Sequence, residues 1–240
     1  MPPTPAALAR TVYVTLAAVD TLLAGRPGPA ARRARFVTKP LLMPTLLAHT
    51  RLASREPTES PTADARACSL LHGVEVAQVF SWGGDVALLG KSRGRFLAGV
   101  GSFLTAHLGY IAGFLAVRDP QSSLSDPGPK AGIATWTITA PVMAVAAGRQ
   151  DPTLRAPIAV YAGVLSTMFA TSTLVDRAFA RPARRKIIAG TTLFLLSDSL
   201  LGAQKFLRDE QSPFLESAVM ATYTAGQLLI AEGALTATRA

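Results

Sequence analysis

The sequence predicts an all-α fold, a polytopic integral membrane bundle of about eight transmembrane helices. Of the 240 residues, 49% are hydrophobic and only 16% are charged, whereas about a quarter of the residues in a typical soluble domain are charged. Most charged residues lie between apolar runs of about 20 residues, the length that a helix needs to cross a bilayer. We therefore expect residues 1–240 to form a single multi-pass domain in the cell membrane.

The apolar runs define the predicted spans. In chain order these are about 7–23, 36–52, 67–89, 96–117, 131–147, 154–174, 187–206 and 214–236. The first run lacks the basic start, short apolar core and cleavage site of a signal peptide, so we expect it to be retained. The polar stretch from Ser54 to Asp64 is expected to be an exposed connection. Lysine and arginine are divided almost equally between the two sides, so their distribution predicts no orientation.

The formal net charge of +9 raises the alternative of a nucleic-acid partner. The basic residues lie in short segments such as Lys91 to Arg95 and Arg184 to Lys186, and loops at membrane ends are where lysine and arginine are expected. No zinc, recognition-helix or RNA-platform pattern accompanies them. The expected partner is therefore the lipid bilayer and not a nucleic acid.

Cysteine and histidine usage gives no pattern for a metal or other cofactor. The one cysteine, Cys68, excludes an internal disulfide and a cysteine-rich metal site, and we interpret it as a small core or lipid-facing residue. The three histidines, His49, His72 and His107, show no clustered ligand spacing. No cofactor is therefore predicted.

Asp198 lies near the centre of the seventh apolar run. A charged carboxylate at the middle of a bilayer costs on the order of 3 kcal/mol or more, so such a residue normally faces other protein or a watery cavity. Phe194 and Leu201 share its predicted helix face. This mostly apolar setting favours the neutral acid form of Asp198.

Asp85 is the second acidic residue in an apolar run. Gln78 and Ser81 lie within about 60° of it around the predicted helix and could bond to its carboxylate. Such hydrogen bonds favour the ionised form. The two aspartates are therefore expected to differ in their protonation.

Other spans also place polar or aromatic side chains on single faces. The fourth span forms an aromatic wall with one imidazole, made of Phe96, Phe103, His107, Tyr110 and Phe114. The further candidates for a polar site are Lys39, Tyr161, Ser197, Tyr223 and Gln227.

Each of these residues also has a structural interpretation. A serine such as Ser81 or Ser197 could bond to the preceding helical turn or link two helices. The aspartates could form structural ion pairs with Lys39 or an arginine. Lys39 could instead extend to the membrane interface, and His107 could be an ordinary core residue.

Six short motifs resemble, in order, those of the YhhN-like lysoplasmalogenase family. They are Lys39-Pro40-Leu41, Phe80-Ser-Trp-Gly-Gly-Asp85, Phe103-Leu-Thr-Ala-His107-Leu-Gly-Tyr110, Tyr161, Leu196-Ser-Asp-Ser199 and Tyr223-Thr-Ala-Gly-Gln227. No single motif is specific, but the common order extends over nearly the whole chain. The resemblance implies a multi-pass membrane hydrolase that cleaves the vinyl ether bond of lysoplasmalogens, which releases a fatty aldehyde and a glycerophospho-alcohol.

This reaction requires a proton donor and then a base, and two carboxylates in different environments can divide those tasks. We expect Asp198 to be the donor and Asp85 the base, with their carboxylates within about 10 Å of each other around a pocket open to one leaflet. Lys39 is expected to hold one carboxylate ionised. The residues expected to donate hydrogen bonds, position water or contact the substrate are Ser81, His107, Tyr110, Tyr161, Ser197, Tyr223 and Gln227.

The substrate phosphate is expected to contact the basic loop from Lys91 to Arg95, by charge complementarity. Two other classes of protein remain open. A proton-coupled small-molecule transporter would also carry acidic and basic side chains at mid-membrane. A lipid-binding scaffold would explain the apolar composition but not the two separated acids.

Overall fold

The computed structural model describes residues 2–56, 65–208, 210 and 212–239. These residues form eight α-helices and no β-strand. The helices are α1 (Pro5–Ala24), α2 (Pro29–Ser54), α3 (Ala65–Leu88), α4 (Arg93–Ala116), α5 (Pro127–Gln150), α6 (Arg155–Ser172), α7 (Arg181–Phe206) and α8 (Pro213–Thr238), with a single 3₁₀ turn, Pro152–Leu154, before α6. The all-helical prediction is confirmed.

Each predicted span overlaps one helix, and the helices are mostly longer than the apolar runs. The largest difference is at α2, which begins at Pro29 and not near residue 36. Proline in the first turn is compatible with a helix start because its missing N–H has no helical partner there. The expected connection from Ser54 to Asp64 cannot be compared in full, because residues 57–64 lie outside the described residues.

Five of the described helices are long and apolar enough to cross a membrane: α1, α4, α5, α6 with its preceding turn, and α7. These helices support a membrane protein. The helices α2, α3 and α8 are not among these five, and eight crossings therefore remain a prediction. These three helices carry polar side chains that are largely or fully buried in the bundle, among them Lys39, Gln78, Asp85 and Gln227.

Glycines allow two pairs of helices to approach closely. Between α7 and α8, a Cβ added at Gly190 would lie 2.8 Å from the carbonyl oxygen of Gly226. Between α3 and α4, a Cβ added at Gly73 would lie 2.8 Å from the Cα of Gly113. Small residues at such crossings let helix backbones pack in a membrane, where apolar side chains gain little from leaving lipid.

The connections at the two ends of the bundle differ. The connections from α1 to α2, from α3 to α4, from α5 to α6 and from α7 to α8 are short and join helix ends that lie at one end of the bundle, which we call the short-loop end. At the opposite end two longer connections pair with each other: the Asp119 N–H donates to the Leu174 carbonyl (2.9 Å) and the Asp176 N–H to the Val117 carbonyl (2.8 Å). These bonds tie the loop after α4 to the loop after α6.

Candidate active site

Seven helices, α2 to α8, surround a largely apolar pocket of about 1000 Å³, measured out to its open mouth. Both candidate aspartates line it, Asp85 from α3 and Asp198 from α7. Asp85 lies about 5 Å along the helix axis from the last residue of α3, and Asp198 about 12 Å from the last residue of α7. The pocket therefore lies toward the short-loop end of the bundle.

Asp85 has a donor on each carboxylate oxygen. The Nζ atom of Lys39 is 3.4 Å from Oδ1, and the Tyr223 hydroxyl donates a 2.8 Å hydrogen bond to Oδ2. The side chain of Lys39 is only 13% exposed, so this lysine forms the predicted ion pair instead of extending to an interface. Together the ammonium and the phenol stabilise the ionised carboxylate.

Asp198 has fewer partners. The Tyr161 hydroxyl donates to its Oδ2 atom, and no described residue donates a hydrogen bond to Oδ1. No lysine or arginine in the described part of the chain forms an ion pair with it, and its side chain is 11% exposed. One oxygen of Asp198 is therefore left for a molecule in the pocket.

A hydrogen-bonded chain of three buried side chains lies behind the pocket lining and joins α4, α8 and α3. The Tyr110 hydroxyl donates to Oε1 of Gln227, and Nε2 of Gln227 donates to the Ser81 hydroxyl at 3.0 Å. These three residues do not line the pocket themselves. They hold α8 in the position from which Tyr223, one turn earlier, contacts Asp85.

The expected hydrogen bonds from Gln78 and Ser81 to Asp85 do not form, and this expectation was wrong. Gln78 donates to the Thr50 hydroxyl at 3.1 Å, whereas Ser81 accepts from Gln227. Both side chains are on the buried face that the helical period predicted. Each therefore forms its hydrogen bond with a partner on another helix and not with the carboxylate on its own helix.

His107 and Ser197 form fewer contacts with the site than the sequence predicts. His107 is fully buried beside the rings of Tyr161 and Phe194, and neither ring nitrogen has a hydrogen-bond partner among the described residues. Its Nε2 atom is 3.9 Å from Oδ2 of Asp198, too far for a direct hydrogen bond. Ser197 lines the pocket, but its hydroxyl donates to the Val219 carbonyl at 3.0 Å, which is the helix-linking role of its structural interpretation.

Lys205 is a pocket residue that the sequence analysis did not select. It lines the pocket from the last turn of α7, whereas Lys91, Arg93 and Arg95 do not. Arg93 instead contacts Asp151 at 3.0 Å. The helical period could have predicted that Lys205 lines the pocket, because Lys205 follows Asp198 by seven residues and so lies on the same helix face.

No cofactor site can be assigned from the described residues. They contain no group of three or more histidine, cysteine, aspartate or glutamate residues that could hold a metal ion.

The fold and the pocket define an all-helical membrane protein with two differently bonded carboxylates in an apolar cavity. The chain belongs to the YhhN family, whose model matches residues 34–234. This match includes every predicted site residue, from Lys39 to Gln227. Among curated proteins and among solved structures, no match to the chain is found.

Proposed function

We propose that this protein hydrolyses the vinyl ether bond of lysoplasmalogens in the cell membrane. The products are a fatty aldehyde and a glycerophospho-alcohol, either glycerophosphoethanolamine or glycerophosphocholine. The observation that carries the proposal is that Asp85 and Asp198 line one apolar pocket but have different hydrogen-bond partners. Membership of the YhhN family supports it, because the resemblance implies this activity.

The reaction begins when Asp198 transfers its proton to the vinyl ether, at the double-bond carbon that is not attached to the oxygen. This gives an oxocarbenium ion, which a water molecule attacks while Asp85 accepts a proton from that water. The hemiacetal then collapses, and its hydroxyl proton moves to the departing glycerol oxygen. The proton on Asp85 returns to Asp198 before the next turnover, so the net reaction consumes one water.

The partners of the two carboxylates support this division of roles. Lys39 and Tyr223 stabilise a negative charge on Asp85, as a base requires. Asp198 has no such cation among the described residues, and none of them donates to its Oδ1 atom, which can therefore carry a proton toward the pocket. The apolar walls suit the hydrocarbon chain of the substrate and limit the water around the oxocarbenium ion.

The test is aldehyde release by the purified protein in detergent, with lysoplasmalogen as the substrate. We expect aldehyde from the wild type and none from the variant carrying both Asp85→Asn and Asp198→Asn. In D₂O the aldehyde should carry one deuterium on the carbon next to the carbonyl, because that carbon receives the proton. The saturated ether lysolipid is the control and should remain intact.

Failure of the lipid to react would contradict the proposal. If the wild type leaves lysoplasmalogen intact in detergent but moves a small solute across sealed vesicles in response to a proton gradient, the protein is a transporter. The two assays therefore separate the two classes of function.

A further inference from the structure

Lys205 lines the pocket from the last turn of α7. Its ammonium group is 4.3 Å from the centre of the Phe96 ring and 6.0 Å from that of Phe206. The two rings meet edge to face at 6.3 Å. A cation over an aromatic face is attracted by the ring quadrupole, so the rings fix the position of the ammonium group beside the pocket.

Lys205 has no carboxylate partner among the described residues, in contrast to three other cations near this end. Lys39 is paired with Asp85, Arg93 with Asp151, and Arg35 with both Asp20 and Glu216. Lys205 is exposed, and its positive charge is available to an anion that enters the pocket.

The distance between Lys205 and Asp198 matches the dimensions of a lysolipid. The two residues are seven positions apart on α7, which gives about 10 Å along the helix and nearly the same direction around it. Leu201 and Gly202, which lie between them, also line the pocket. In an extended lysolipid the vinyl ether oxygen and the phosphorus are about 6 Å apart, from standard bond lengths. The remaining distance, from the phosphorus to the backbone of Lys205, is covered by the lysine side chain and by its contact with a phosphate oxygen.

We propose that Lys205 binds the phosphate of the lysolipid and so places the vinyl ether beside Asp198. This inference rests on the proposed function. It assigns the phosphate contact to α7 instead of the loop from Lys91 to Arg95. The hydrocarbon chain then continues past Asp198 toward Leu165 and Leu195, which line the pocket farther from the short-loop end. It follows that the enzyme selects phosphate-bearing lysolipids over neutral alkenylglycerols.

The activity test compares two substrates that differ only in the phosphate head group. We expect Lys205→Gln to lower kcat/KM for lysoplasmalogen by about ten-fold or more, because a hydrogen bond to a charged group is lost. The same variant should leave kcat/KM for the neutral alkenylglycerol unchanged. Lys205→Arg should retain most of the activity on lysoplasmalogen. Arg208→Gln is the matched control, because Arg208 is exposed at the same end but does not line the pocket.

A binding test separates this proposal from the proposed function. The probe is a radiolabelled saturated ether lysophospholipid, which has no vinyl ether to cleave, bound to the full-length protein in detergent. We expect it to bind at least ten-fold more tightly than the saturated ether glycerol, and Lys205→Gln should remove the difference. If aldehyde is never released but this difference is seen and is lost in the variant, the proposed reaction fails and the phosphate site stands.

Three results would overturn the phosphate site. The first is equal binding of the two lipids by the wild type. The second is a Lys205→Gln variant that binds and cleaves lysoplasmalogen as well as the wild type does. The proposed hydrolysis would then be supported, but Lys205 would not be the phosphate site. The third is competition by inorganic phosphate as strong as that of the lysophospholipid, which would indicate a site for free phosphate.

Discussion

Lys39 and Asp85 form an ion pair between α2 and α3, with Nζ 3.4 Å from Oδ1 and both side chains largely buried. Removing one partner of a buried pair leaves the other charge uncompensated, and its ionised form is then costly. Asp85 would then be ionised in a smaller fraction of the molecules, and only its ionised form can accept a proton from water. The ion pair therefore connects the packing of α2 with the proposed base.

We expect Lys39→Met to lower the turnover of lysoplasmalogen by about ten-fold or more while the helices remain folded. The measurements are aldehyde release and far-ultraviolet circular dichroism of the purified variant. Lys186→Met is a suitable control, because Lys186 contacts a different carboxylate, that of Glu232, at 3.7 Å and does not line the pocket. Normal turnover in Lys39→Met would show that the ion pair is structural only.

A second prediction concerns the close contact of α7 with α8. Gly190→Ala would place a methyl group 2.8 Å from both the Gly226 carbonyl oxygen and the Ile230 amide nitrogen. These are backbone atoms, so the helices must separate, and overpacking of this kind typically costs about 1–3 kcal/mol. We expect a lower midpoint of thermal unfolding in detergent.

The control for this contact is Gly101→Ala on α4. A Cβ added at Gly101 meets no atom of the described residues within 4 Å, and alanine is the better helix former. Its thermal midpoint should be unchanged or slightly higher. Equal midpoints for the two variants would contradict the close approach of α7 and α8.

A third prediction concerns the loop at the opposite end from the pocket. The Ala178 N–H donates to Asp176 at 2.9 Å and Arg66 contacts it at 3.0 Å, and these partners hold the pKa of Asp176 below its usual value. A lowered pKa in the folded state contributes stability that is present above the unfolded-state pKa and lost as the pH falls through the folded-state pKa.

The thermal midpoint of the wild type should therefore decrease as the pH is lowered below about 4, the ordinary pKa of an aspartate. In Asp176→Asn we expect a lower midpoint at neutral pH and a smaller decrease in acid. Asp126→Asn provides a comparison, because Asp126 lies in another loop at the same end and forms no ion pair with a described residue. The prediction would be contradicted if the thermal midpoints of the wild type and of Asp176→Asn decreased equally steeply as the pH is lowered.

Which helix faces are buried could be predicted from the sequence. Gln78, Ser81 and Asp85 are all buried on α3, as their spacing indicates. The reason is that a polar side chain within an apolar run is costly in lipid and must face protein. The same reasoning identified Tyr223 and Gln227 on α8.

The partners across helices could not be predicted in the same way. Helical periodicity gives the direction of a side chain but not the identity of the neighbouring helix, and α3 contacts α2, α4 and α8. The contact of Tyr223 with Asp85 and that of Tyr161 with Asp198 therefore required the structure. The same holds for Asp20, which is fully buried on α1 and accepts a 2.6 Å hydrogen bond from Thr38.

The last prediction assigns the roles of the two acids. Asp198→Asn retains size and polarity but has no acidic proton, so it should lower turnover by about 100-fold or more, the typical effect of a positioned acid. Asp85→Asn should impair the attack of water by a comparable factor. The rates of the single variants therefore do not separate the donor from the base.

The residual activity of each variant as a function of pH does separate them. A proton donor fails when it loses its proton at high pH, and a base fails when it gains one at low pH. The Asp198 variant should therefore lose the high-pH decrease in rate, and the Asp85 variant should lose the low-pH decrease. If instead the Asp198 variant loses the low-pH decrease and the Asp85 variant loses the high-pH decrease, the roles of donor and base are exchanged. If both variants are fully active and still release deuterated aldehyde in D₂O, the acid and base must be sought elsewhere in the pocket.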